Sequence, residues 1–294
     1  MQATMKHNAT RGRLCPRLGR AVATVAAAAV LASCDMMHDD RSDCPFGLYL
    51  SFEYDYNLER ADMFADHVGA VDVYVFDEQG RYVTCQSEAN VGDDRPLAQP
   101  GYAMHMDLQP GRYQFVVLAG QTDYDSQLST QRAHFVRSQL VPGDDMQTLD
   151  IRLDTRDDGT GTLLVPHGGE PLDTLWHGLH VEPVEVFTEK PTYATIPLVR
   201  DTKKINVTLR DIDEPWTTDV AQFDMRITDR NAHLLWDNTV DESTGTVVYT
   251  PHATWNTTDR TADSRADGET QVQVGRIAHA DFMTSRIIYH DDPA

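Results

Sequence analysis

Apolar and polar side chains alternate along the chain from residue 46 onward, with the period of a strand that buries one face. In the first run, over 46–56, aromatic and aliphatic residues occupy every second position. In the next run, over 71–76, three valines share a face. The residues that follow, 77–80, predict a hairpin turn because Gly80 can adopt the positive φ that such turns need.

Two stretches depart from simple alternation. Residues 113–119 are apolar on both faces, so we expect this strand to lie centrally in a sheet. Residues 58–68 have the apolar spacing of a short helix. Further strands are predicted at 81–86, 102–108, 149–153, 162–165, 181–187, 194–199, 205–209, 223–227, 246–249, 271–277 and 284–289.

Many short strands with turns between them and little helix indicate an all-β protein made of two antiparallel β-sandwiches. The best boundary between them is the segment 154–161, which is charged, contains glycine and lacks an apolar face. The sequence therefore predicts an N-terminal sandwich over 45–155 and a C-terminal sandwich over 156–294.

Residues 1–33 have the features of a bacterial export signal. Five basic residues and no acidic ones precede an apolar run from Ala21 to Ala32, which is too short to span a bilayer. The run ends in Leu31-Ala-Ser-Cys34, a lipobox-like sequence. We expect cleavage before Cys34, lipidation of its thiol and anchoring by the lipid, with 34–44 as a polar tether. The alternative is a plain signal peptide followed by a chance cysteine.

Cys44 and Cys85 are the cysteines that remain once the leader is removed and Cys34 is lipidated. Export permits a disulfide between them, but spacing in sequence does not bring two Cα atoms within bonding range. The sequence is therefore compatible with a Cys44–Cys85 disulfide and, alternatively, with two separate thiols.

The formal charge of the full chain is −21, and removal of the basic leader makes the mature protein more acidic. Such a surface repels phosphate, so we expect no nucleic-acid partner and a protein body that stands away from anionic headgroups. Solubility alone is a sufficient reason for this charge.

No catalytic motif is present, and we expect neither an enzyme nor a cofactor, metal or small-molecule substrate. Asp154, Asp158 and Gly159 are spaced as in a calcium loop, but Arg156 and Val165 stand where such a loop needs oxygen ligands. His177 and His180 lack a local third metal ligand, so we interpret them as ordinary loop histidines. Cys85 has no base to activate it as a nucleophile.

Five segments of the mature chain carry a resemblance to one family: Cys44–Leu48, Val71–Asp77 with Gly80, Pro197–Ile205, Leu235–Asn238 and Phe282–Ile287. Together they resemble the anchoring-subunit lipoproteins of type V fimbriae, the FimB-like family. The resemblance extends over nearly all of the mature chain. Each segment is a strand or a turn rather than a reaction centre.

The resemblance implies a protein at the base of a fimbria, lipid-anchored in the outer membrane through Cys34 and exposed at the surface. It implies two transthyretin-like sandwiches and a fimbrillin shaft subunit as partner, held by exchange of a β-strand. Related proteins usually carry further strands after the Phe282–Ile287 segment. We therefore expect either a C-terminal sandwich without its closing strands or a shortened sequence. The alternative function is a surface glycan-binding or tip-adhesin lipoprotein.

Overall fold

The computed structural model describes residues 47–210, 218–264 and 270–288. Its strands are β1 (Leu48–Glu53), β2 (Ala70–Asp77), β3 (Tyr82–Ala89), β4 (Met104–Met106), β5 (Gly111–Gly120), β6 (Phe135–Arg137), β7 (Asp150–Leu153), β8 (Arg156–Asp157), β9 (Leu163–Leu164), β10 (Trp176–Val186), β11 (Thr192–Arg200), β12 (Lys203–Arg210), β13 (Ile227–Asp229), β14 (His233–Leu235), β15 (Val247–Tyr249), β16 (Ala253–Ser264) and β17 (Thr270–Thr284).

Helix is scarce in these residues, which confirms the all-β class. The two α-helices are α1 (Phe64–His67) and α2 (Tyr124–Leu128). The helix predicted over 58–68 is therefore wrong in extent. Hydrogen bonds from Asn57 to the carbonyls of Tyr54 and Ala61 hold the first half of that segment as a loop.

The largest sheet has seven strands in the order β3-β2-β5-β10-β11-β1-β4. The β1–β11 pair is parallel, whereas the other pairs in this sheet are antiparallel. Strand β5 lies inside the sheet between β2 and β10, which confirms the prediction from residues 113–119. Phe115 and Val117 face one hydrophobic core, and Val116 and Leu118 face another.

The seven-stranded sheet curls until its two edge strands approach each other. Gln86 of β3 donates a side-chain hydrogen bond of 2.9 Å to the carbonyl of His105 in β4. The first core fills the inside of this curl with side chains from β1, β2, β4, β5, β10 and β11. This single side-chain bond brings the edges near each other, but β3 and β4 remain the edge strands of the sheet.

The second core lies on the outer face of β5. It is covered by a three-stranded sheet, β14-β7-β6, and by Ala280 and Phe282 of β17. Two smaller sheets complete the described architecture: β12-β17-β16 and β13-β15-β9-β8.

Strand pairing crosses the boundary predicted between residues 155 and 156. After the short strands β8 and β9, the chain returns to the seven-stranded sheet as β10 and β11. The reason is apolar burial, because Trp176, Ile196 and Leu198 belong to the first core. The residues from Phe46 onward fall in one compact unit.

Candidate partner-binding site

The lipidation candidate Cys34 and the disulfide candidate Cys44 lie outside the described residues, so lipidation and the Cys44–Cys85 bond stay predictions. Cys85 lies on β3 opposite Tyr74 of β2 and is half-buried. Burial, reinforced by the charge of Asp72, raises the pKa of Cys85 to about 12. The group is therefore a thiol at neutral pH, which is the opposite of what a nucleophilic cysteine requires.

His177 and His180 lie on strand β10, so their interpretation as loop histidines is wrong. They are three residues apart on a strand, which directs their side chains to opposite faces. His177 is buried, with Nε2 3.0 Å from the carbonyl of Trp236, and burial lowers its pKa to about 4. His180 is partly exposed and contacts the carbonyl of Glu182. The strand thus separates the two imidazoles.

The calcium-like segment forms a turn between β8 and β9. The Asp158 carboxylate accepts a hydrogen bond of 2.8 Å from the amide of Thr160, and one of 2.6 Å from its hydroxyl. These bonds within the turn lower the pKa of Asp158. The segment is a polar turn between the paired strands β8 and β9.

Three of the segments that carry the family resemblance meet in one polar cluster, in which Asp201 is buried and Asn238 and Arg286 are partly buried. Asp201, Asn238 and Arg286 come from Pro197–Ile205, Leu235–Asn238 and Phe282–Ile287, respectively. Arg286 Nη2 donates a 2.6 Å hydrogen bond to the carbonyl of Asn238, and its Nη1 lies 3.9 Å from Asp201 Oδ1. We call these three residues, with His177, the Asp201 cluster.

The Asp201 cluster joins the seven-stranded sheet to the C-terminal strands. Asp201 follows β11, Asn238 follows β14 and Arg286 follows β17. Asp201 is fully buried, and burial raises its pKa to about 7 against the opposing charge of Arg286. Sequence patterns identified the three segments but gave no sign that they touch.

Among the residues that the structure describes, the longest open strand edge belongs to the antiparallel pair of β16 and β17, which we call the β16–β17 ribbon (253–264 and 270–284). The two strands pair from Ala253↔Asp281 to Ser264↔Thr270. β12 covers the other side of β17 only as far as the Arg210↔Ile277 pair. In the part of the chain that the structure describes, no strand pairs with the outer edge of β16.

Such an edge presents backbone N–H and C=O groups that can pair with an added strand. By contrast, β4 is three residues long, and the start of β3 is capped because Tyr82 exchanges backbone hydrogen bonds with Gly143 and Asp144. The ribbon is therefore the stronger candidate for strand addition.

Comparison with known proteins identifies the relatives of this chain. The family described as fimbrillin-A associated anchor proteins Mfa1 and Mfa2 matches residues 41–293. Among functionally curated proteins, none matches the chain significantly.

Several solved structures share the fold. A candidate adhesin from Bacteroides thetaiotaomicron VPI-5482 is 27% identical with a TM-score of 0.65, over 86% of this chain and 75% of that one. A protein from the same organism, described as a candidate polysaccharide-binding protein, is 26% identical with a TM-score of 0.61, over 83% and 72%. The fimbrial anchor protein Mfa2 from Porphyromonas gingivalis is 16% identical with a TM-score of 0.53, over 84% and 75%.

Proposed function

We propose that this chain, which belongs to the family of fimbrillin-A associated anchor proteins, holds the base of a fimbria at the outer membrane. The lipid on Cys34 provides the link to the membrane, and a sheet edge provides the link to the first shaft subunit. The family match over residues 41–293 is the observation that carries this proposal. The family is one of structural anchor proteins and not an enzyme family.

The outer edge of β16 is the surface that we assign to the shaft subunit. An added strand would satisfy backbone groups that no described strand pairs with, and alternate side chains would give specificity. In the described residues no helix is long and apolar enough to cross a membrane. A lipid on Cys34 supplies attachment without such a helix.

The membrane link is tested with Cys34→Ala. Fimbriae should still polymerise in cells that make only this variant, but they should be released into the medium. Immunoblotting of cell-bound and released fimbriae measures the effect, and Cys85→Ala is the matched control because it removes a thiol from β3. Normal retention of fimbriae by cells that lack the protein and express no paralogue would reject the anchor role.

The shaft link is tested by hydrogen exchange. Adding a purified shaft subunit should slow exchange of backbone amides in β16, because an added strand makes hydrogen bonds with them. Amides of β5, which pairs on both sides, serve as the control. Protection confined to loops, with β16 unchanged, would contradict strand addition at this edge.

A glycan-binding function is the second candidate, and an exposed aromatic strip favours it. Tyr49 of β1 stacks on Tyr193 of β11 at a ring distance of 5.3 Å, and the ring of His105 in β4 lies 4.8 Å from that of Tyr49 in a tilted arrangement. Tyr193 is 69% exposed. Aromatic faces of this kind suit sugar rings, and one structural relative is described as a candidate polysaccharide-binding protein.

The two functions make different forecasts for Tyr193→Ala. If the protein is an anchor, this variant should retain fimbriae normally. If it is a glycan-binding protein, Tyr193→Ala should lose binding on a glycan array. Cells that make Cys34→Ala protein should then still keep their fimbriae attached.

A further inference from the structure

A cavity of about 790 Å³ opens between the loop that follows β1 and the turn from β11 to β12. This volume is in the range of pockets that hold ligands. Tyr56, Leu58 and Arg60 of the loop line one wall, and Arg200, Lys203 and Lys204 of the turn line the other.

The cavity is basic although the protein is strongly acidic. Its lining contains four cations, Arg60, Arg200, Lys203 and Lys204, against one carboxylate, Glu59. The whole chain has 25 basic and 46 acidic residues, so a cluster of this kind is not expected from composition. In the ranges that the structure describes, none of the four cations forms an ion pair.

The cations at the β11–β12 turn are held in place by contacts other than carboxylates. The Arg200 guanidinium lies 5.9 Å from the ring centre of Trp176, and its Nε donates to the hydroxyl of Thr202 at 3.3 Å. Lys203 Nζ donates to the carbonyl of Arg200 at 3.0 Å. Partial burial lowers the pKa of Lys203; the Asp201 carboxylate opposes this shift, and the positive charges of Arg200 and Arg286 reinforce it. A bound anion would relieve that repulsion.

The opposite wall is an ordered loop. Asn57 Nδ2 donates to the carbonyls of Tyr54 at 2.7 Å and Ala61 at 2.8 Å, and Asn57 Oδ1 accepts from the amide of Arg60 at 3.0 Å. This loop also supplies an apolar rim, since Leu58 is 97% exposed. The cavity therefore combines fixed positive charge with exposed apolar surface.

The cavity lies away from the point where the tether joins the fold. β1 and β11 are parallel and in register from Leu48↔Thr192 to Glu53↔Pro197. The tether leads into the amino end of β1, whereas the cavity follows the carboxyl ends of both strands. The length of β1 separates the two by about 20 Å, at roughly 3.3 Å per residue. The cavity therefore lies at the end of β1 opposite Leu48, the first residue of that strand.

We propose that this cavity binds an acidic peptide segment of the shaft subunit. The proposal rests on the anchor function given above and adds a second contact to it. Guanidinium and ammonium groups would hold the carboxylates through charge-assisted hydrogen bonds, and the rim formed by Tyr56 and Leu58 would cover neighbouring apolar side chains. Leu58, almost fully exposed on this rim, offers the aliphatic surface that an apolar peptide side chain would cover.

Calorimetry with the full-length lipidated protein in detergent tests the site directly. The probe is a blocked peptide of alternating Asp and Leu, and its Asn-Leu counterpart reports the charge requirement. Replacing Arg60, Lys203 and Lys204 together by Gln should weaken binding of the acidic peptide by about tenfold or more, the effect of losing one charged hydrogen bond. These three side chains are exposed, so the fold should tolerate the change.

A matched control keeps the total charge equal. Replacing the exposed Arg152, Arg156 and Arg226 by Gln removes the same three charges elsewhere and should leave peptide binding unchanged. Equal weakening by both triple variants would show a general charge effect and overturn the proposal. The proposal would also be overturned if polygalacturonate or phosphatidylglycerol vesicles bound more tightly than the peptide, and if that binding were lost only when Arg60, Lys203 and Lys204 are replaced (the cavity variant).

Assays on cells separate this proposal from the anchor function. Cells that make the cavity variant should release more fimbriae than cells that make the control triple variant. Cells that make Cys34→Ala protein should release fimbriae whether or not the cavity is intact. If Cys34→Ala sheds fimbriae while the cavity variant retains them fully, the cavity proposal fails and the anchor stands. If Cys34→Ala and absence of the protein both leave retention normal, the anchor function itself fails.

Discussion

Asp201→Asn should change how the stability of this protein depends on pH. Asp201 is fully buried in the Asp201 cluster, and burial raises its pKa from 3.8 to about 7. Folding therefore favours the protonated acid. Its contribution to stability is fully present below about pH 3.8 and is lost as the pH rises through 7. Asn keeps the shape of the neutral acid and cannot ionise, so the variant should not lose this stability.

The size of the effect follows from the shift. Each pKa unit corresponds to about 1.4 kcal/mol, so the shift is worth roughly 4 kcal/mol in total. Most of it, on the order of 3 kcal/mol, falls between about pH 5 and about pH 8. The wild-type protein should therefore lose more stability than Asp201→Asn over this interval.

Urea denaturation at both pH values measures the difference. Asp237→Asn is the matched control, because Asp237 lies beside the same cluster but has a lowered pKa. Asp237→Asn should lose as much unfolding free energy between about pH 5 and about pH 8 as the wild type does. Parallel pH profiles for wild type and Asp201→Asn would refute the reasoning, since the buried acid would then not be the titrating group.

Three further predictions concern packing. Val73→Asp buries an unpaired charge in the first core and should lower the free energy of unfolding by several kcal/mol, whereas Val83→Asp on half-exposed β3 should change it little; urea titration compares them. His177→Ala should destabilise the protein by about 1–3 kcal/mol because it leaves the carbonyl of Trp236 unpaired. The same change at His180 should have a small effect, and the contribution of His177 should fade as the pH falls from about 6.5 toward 4. Trypsin should first cut within 154–162. The two fragments should elute together on size-exclusion chromatography, because strands on either side of this segment pair with each other. Separation of the fragments would contradict that pairing.

Local pattern predicted the all-β class and many of the strands, because both depend on side-chain period. Residues 113–119 show this most clearly, since an apolar run on both faces has a stable place only between two cores. The strands predicted over 223–227 and 284–289 are wrong, since residues 223–226 and 285–288 lie outside the strands. The helix predicted over 58–68 failed because its spacing is also satisfied by a loop held by Asn57. There, three polar side-chain hydrogen bonds outweigh a weak helical preference.

Long-range pairing was not predictable in the same way. The charged turn at 154–161 has the features of a domain linker, but a turn and a linker have the same composition. What distinguishes them is where the next strands pair, and β10 and β11 pair with strands more than fifty residues earlier in the chain. The meeting of Asp201, Asn238 and Arg286 has the same origin, because contact across three strand ends depends on topology.

The basic cavity illustrates how topology converts ordinary residues into a candidate site. Lys203 and Lys204 lie in a segment already notable for its family resemblance, but two adjacent lysines on a strand have no specific meaning alone. The parallel β1–β11 pair places the end of β11 beside the loop after β1, and that loop adds Arg60 from about 140 residues away. The same parallel pairing sets the cavity at the carboxyl ends of β1 and β11. One feature of the sheet, the parallel β1–β11 pair, thus brings cations from two distant parts of the chain to one cavity.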